Sequence, residues 1–268
     1  MATPTPNQQA ESDDLLAVSA IAALAAILAS LLHEGVGHAA IALATGAKSG
    51  VLTAVAWSSE FDSRLVSAGG TLVNLGGAAV FWLALRLFPG LSLNARYFLL
   101  ISMAFNLFDG TGYFFFSGVS NFGDWAAVIQ GLEPHWLWRL LLVLVGIGTY
   151  FAAVIVVGKS FVSDLGIPRA GDRRIQRLAI IPYVVAIIVV GLAGLLNPIS
   201  IRLVWLSALP ATAGAHSGLL WFRHYIPRGT RPMHESATIT RNYRWITSSA
   251  SLTLTFIVVL GHGVSLTP

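Results

Sequence analysis

Leu31-Leu32-His33-Glu34-Gly35-Val36-Gly37-His38-Ala39-Ala40 sets two histidines and a carboxylate inside a strongly apolar stretch. Ionisable side chains at membrane depth are costly and usually face a functional cavity. In the zinc-hydrolase pattern H-E-x-x-H the histidines stand four residues apart, about 40° around a helix, so both imidazoles reach one ion. Here the separation is five residues, which on a regular α-helix turns the two rings about 140° apart. A π-bulge, bonded i to i+5, would return them to one face, and Gly35 and Gly37 offer little steric resistance to that distortion. The alternatives are histidines bonded to neighbouring helices as structural groups, or a proton relay.

The elements that must position these residues are membrane helices. Of 268 residues, 55% are hydrophobic and only 10% charged, against about 25% charged in soluble proteins. With a mean hydropathy of +0.73, too few polar side chains remain to cover a soluble globule. That excludes a soluble enzyme, a disordered chain and a nucleic-acid binder, despite a net charge of +4. The absence of cysteine removes thiolate zinc sites, iron–sulfur clusters and disulfides, so a metal would need His, Asp or Glu ligands.

The pattern predicts an all-α, polytopic membrane helical bundle of about six to seven spans. A polar tail, 1–14, expected to be disordered, precedes a core at 15–132 and additional transmembrane helices at 133–268. Leu15 to about Thr45 forms the first span. Residues 46–63 suggest a short strand or re-entrant segment. Further spans are expected at about Leu65–Phe88, in a shorter run from Arg96 to Phe108, and at about 136–158, 178–196, 199–222 and 245–262. The Gly-rich stretch from Asp109 to Asp124 suits irregular backbone at membrane depth. Two basic loops, holding Lys159, Arg169, Arg173, Arg174 and Arg177, and Arg223, Arg228, Arg231, Arg241 and Arg244, lie two spans apart and therefore on one face. The positive-inside rule makes that face cytoplasmic and places the N-terminus there.

The stretch from His33 to Gly46 resembles the first signature of site-2 protease-type intramembrane zinc metalloproteases, H-E-x-G-H followed by small and apolar residues and Gly. Ser67-Ala68-Gly69-Gly70-Thr71-Leu72-Val73-Asn74-Leu75 is similar to that family's A-G-P-x-x-N segment, with Gly70 in place of Pro. The third motif, N-x-x-P followed by D-G, is matched only by the fragments Asn106-Leu107-Phe108-Asp109-Gly110 and Asn121-Phe122-Gly123-Asp124. The resemblance covers about residues 30–130. It implies Zn2+ held by His33, His38 and one carboxylate, Glu34 as general base, and Asn74 orienting substrate or stabilising the oxyanion. Asp124 is preferred over Asp109 as third ligand, because it follows Gly123 at an expected helix start.

Other residues carry less. His216, in a small-residue stretch, suits an interhelical hydrogen bond. His262 and Arg202 lie near span ends, and Trp136, Trp138 and Trp245 read as interfacial anchors. The expected function is a zinc-dependent intramembrane peptidase acting on membrane-embedded or juxtamembrane peptide segments, with the lipid bilayer and a membrane-protein substrate as partners. The alternative is a transporter, metal-handling protein or inactive relative in which the same residues line an ion or proton route.

Overall fold

A computed structural model describes residues 12–167, 172–235 and 237–267. Among the described residues six helices are long and apolar enough to cross a membrane: α1 Leu15–Thr45, α2 Arg64–Leu87, α3 Leu93–Ser120, α5 His135–Ser163, α6 Asp172–Leu195 and α7 Tyr243–Leu260. A short helix, α4 Asp124–Val128, lies between α3 and α5. The strands β1 Gly50–Leu52, β2 Trp57–Ser58 and β3 Val264–Leu266 form an antiparallel sheet in the order β2-β1-β3. The chain is thus an all-α membrane bundle with a small sheet at one end.

Side-chain caps start the helices. Asp14 accepts from the Ala17 N–H at 2.9 Å, Ser63 from Val66 at 3.2 Å and Ser92 from Ala95 at 3.3 Å, each satisfying a donor that the first turn leaves open. The alanines of α1 (Ala22, Ala25, Ala26, Ala29) are buried and let this helix sit centrally, against α2, α3, α6 and α7. Phe105, Phe108, Phe161 and Phe222 fill the core beside it. Leu140, Leu144, Ile147 and Ile188 stay exposed on spans, which suits contact with lipid.

The bundle has two distinct ends. At one, Arg174 pairs with Asp13 at 2.7 Å and Arg241 with Asp14 at 2.8 Å. Asn94 there donates to the Thr240 carbonyl, and Met233 N–H to that of Ser163. At the other, Asn197 donates to Thr53 and Arg64 to the Gln130 carbonyl beside the sheet. The start of α1 therefore shares an end with both basic loops. Asp13 and Asp14, expected in a disordered tail, are fixed here, Asp13 in a buried pair. Residues 1–11 and Arg169 lie outside the described residues.

Two expectations are corrected. The stretch after Asp109 continues α3 to Ser120, because Gly110 and Gly112 admit neighbours: a Cβ at Gly110 would meet Leu75 Cγ at 2.6 Å, and one at Gly112 would meet Ala215 Cβ at 3.2 Å. The irregular backbone falls instead in the expected span 199–222. There, π-helical turns at Val204–Ala208 and Pro210–Gly214 give way to 3-10 and α turns through Phe222–Tyr225. Tyrosines from other helices bond its freed backbone groups. Tyr150 donates to the Ala215 carbonyl and accepts from Gly218 N–H, and Tyr183 donates to the Ala213 carbonyl.

Candidate metal centre

Between Leu31 and Ala40 the first span winds as a π-helix, so the five-residue step from His33 to His38 brings both rings to one face. Their ring centroids lie 4.8 Å apart. Close contact with α2 accompanies the distortion: a Cβ on Gly69 would lie 2.9 Å from the Gly37 carbonyl carbon. Asp124 arrives from the other side. Asn121 ends α3 in the left-handed region at φ 54°, Gly123 takes φ 84°, and the chain re-enters as α4 with Asp124 at its start.

The three ligand atoms form a nearly equilateral triangle. His33 Nε2 and His38 Nε2 are 3.3 Å apart, and Asp124 Oδ2 lies 3.3 Å from the first and 3.5 Å from the second. Zinc bonds of about 2.0–2.2 Å in a tetrahedron separate neighbouring ligand atoms by about 3.3–3.6 Å. His33 Nδ1 lies 2.5 Å from Asn74 Oδ1, and His38 Nδ1 lies 2.7 Å from the Val66 carbonyl. Each acceptor takes the Nδ1 proton, so in the neutral rings both Nε2 lone pairs face each other and a carboxylate. Neutral rings in these tautomers have no Nε2 proton to share. A cation is what this donor set fits, and this group of three is the one that could hold a metal ion among the described residues.

A polar chain fixes His33. Asn74 Nδ2 donates to Asn106 Oδ1 at 2.8 Å, and Asn106 Nδ2 donates to the Ser102 carbonyl at 2.8 Å, which sets the Asn74 oxygen toward the imidazole. Asn74 is fully buried by these partners. Its Oδ1 thus faces His33 and its Nδ2 faces Asn106, where the sequence reading expected substrate or an oxyanion. Tyr113 stacks on the other side of His33, with ring centroids 4.9 Å apart.

Glu34 is buried beside this triangle, with the Trp57 backbone against its carboxylate. It belongs to no ligand set. It lines, with His38 and Asp124, a cavity of about 340 Å³ that also touches Trp57, Ser58, Asp62 and Gly123. Asp109 is held elsewhere: its Oδ1 lies 3.1 Å from His216 Nε2, so the carboxylate contributed to the triangle is that of Asp124. His216 also stacks on Phe105, and His262 is exposed and contacts the Val258 carbonyl.

Sequence reasoning missed Tyr113 and the Val66 carbonyl, and met Asn106 only as part of a motif fragment, because their contacts arise from packing between spans. It passed over Gly70 as a mere departure from a motif. A Cβ there would lie 2.5 Å from His38 Nε2 and 2.6 Å from His33 Nε2. No family model, curated protein or solved structure matches this chain.

Proposed function

We propose that this integral membrane protein is a zinc-dependent intramembrane peptidase of the site-2 protease type, hydrolysing membrane-embedded or juxtamembrane peptide segments. The observation that carries the reading is the triangle of His33, His38 and Asp124 donor atoms at tetrahedral zinc spacing, with the Glu34 carboxylate beside it and outside that group. His33, His38 and Asp124 would hold the ion and leave one position open, as in catalytic zinc sites. Zinc, when bound, supplies Lewis acidity and brings water toward ionisation near neutral pH.

The protein's own groups supply the rest. Glu34 takes the proton of the attacking water and returns it to the leaving amine, so one carboxylate serves as base and then acid. Asn74 and the Val66 carbonyl hold the two imidazoles in the tautomer that keeps Nε2 free for the ion. The cavity beside Glu34 admits the peptide segment. The basic end of the bundle faces the cytoplasm, and so does the N-terminus.

Glu34→Gln separates catalysis from binding. Zinc stays near one per chain, while cleavage falls by about 10²-fold or more, the scale of general acid–base catalysis. Comparative proteomics of membrane peptides from cells expressing wild type or Glu34→Gln reads this without a known substrate. Fragments present only with wild type support the peptidase and name its substrates. Identical fragment sets, with zinc retained in both, would leave a metal-handling protein or inactive relative. Loss of zinc from Glu34→Gln would instead make Glu34 part of the binding set.

A further inference from the structure

The two ends of the bundle differ sharply in charge. Of the 16 Lys and Arg residues, Lys48, Arg64, Arg139 and Arg202 belong to the sheet end. Every other described Lys and Arg lies at the end where Asp13 and Asp14 meet Arg174 and Arg241. Short loops with such an excess stay cytoplasmic during insertion.

The metal centre belongs to the opposite half. His33 is 18 residues from Leu15 and 12 from Thr45 along a span that starts at the basic end. Asp124 comes from the connection beyond Ser120, at the sheet end of α3. The cavity beside Glu34 is walled by the sheet-end residues Trp57, Ser58, Ser59, Asp62, Phe122 and Gly123. None of its lining residues comes from the basic loops.

We propose that the metal cavity opens on the non-cytoplasmic face of the membrane, and that the peptide segment it receives is presented from that side. The sidedness stands on topology and charge alone, whereas the nature of the substrate rests on the peptidase reading. The ion is then exchanged with the non-cytoplasmic compartment. A substrate is a polypeptide whose scissile segment lies in or next to the outer leaflet, and segments confined to the cytoplasmic side are excluded.

The chain has no cysteine, so single cysteines report position without background. Ser58→Cys places a thiol at the exposed cavity rim, and Gly229→Cys places one in the exposed basic loop, where a Cβ meets nothing within 4 Å. A membrane-impermeant maleimide applied to intact cells should label Ser58→Cys, with labelling of Gly229→Cys lost until the cells are permeabilised. Detergent-solubilised samples, in which both must react, check that each thiol is available. Labelling of Gly229→Cys alone in intact cells, or equal labelling of the two, would overturn the assignment. In sealed right-side-out vesicles an impermeant chelator should remove bound zinc, and retention of zinc there with loss after detergent would overturn it too. A protein that binds no zinc would defeat the peptidase reading while the labelling pattern still decided the sidedness.

Discussion

Among the described residues, histidine and carboxylate meet twice inside this bundle, under different constraints. At His33, His38 and Asp124 both rings have Nδ1 tied to an oxygen, and the three remaining donor atoms converge within 3.5 Å. At Asp109 and His216 the approach is 3.1 Å, yet neither ring nitrogen nor Asp109 Oδ1 makes an aligned hydrogen bond. His33, His38, Asp109 and His216 are all buried among helices, and Asp124 is nearly so. A geometry that could hold an ion therefore does not follow from residue type and burial alone. It follows from the groups behind the ligands, which decide where the lone pairs point.

The largest effect expected from breaking this asymmetry is at the ligands themselves. His33→Ala, His38→Ala and Asp124→Ala each delete one of three protein ligands, so each should remove most of about one zinc per chain. Metal analysis of purified protein checks it, and unchanged zinc in all three variants would dispose of the site. Gly70→Ala should come close behind. Its new Cβ would lie 2.5–2.6 Å from both Nε2 atoms, in space the ligand set needs, while Gly76→Ala further along the same helix meets nothing. Equal zinc in these two alanine variants would mean that Gly70 is a packing residue only.

Support behind the ligands should cost less. Asn74→Leu removes the acceptor that fixes the His33 tautomer without touching a ligand, so zinc affinity should fall about 10–100-fold and stoichiometry should recover at high zinc. Competition with a chelator of known affinity measures it. An unchanged affinity would show that packing against Tyr113 alone orients His33.

These partners mark where sequence reading succeeds. The π-turn was legible, because a five-residue His spacing with glycines inside it has one helical geometry that brings both rings together. Asp124 was legible from Gly123, whose positive φ turns the chain into a new helix start. The course of 109–124 was not, since Gly110 and Gly112 are read locally as breakers but act through close approach to Leu75 and Ala215. The broken backbone at 204–225 was hidden for the converse reason. Its own residues are apolar enough for a span, and the groups that satisfy it, Tyr150 and Tyr183, lie on α5 and α6. Asn74 was found by resemblance, but its contacts were not, because its partners His33 and Asn106 come from two other helices.

The smallest effect on metal should be at the second cluster, and its test bears hardest on the comparison. Asp109→Ala leaves His216 buried without its 3.1 Å neighbour, but no aligned hydrogen bond is lost, so the cost in stability should stay below the roughly 1–3 kcal/mol of a newly stranded polar group. Zinc content should stay at the wild-type level, since no Asp109 atom belongs to the triangle. Replacing both partners, as Asp109→Leu with His216→Leu, should recover much of that stability, because buried pairs of this kind are often replaced by apolar side chains without loss. Thermal unfolding read together with zinc content distinguishes the outcomes. Stability recovered with zinc intact would make the pair a packing element, built from the same residue types as the centre but without groups to aim them. Loss of zinc from the double variant would join the two clusters into one functional unit and end the contrast between them.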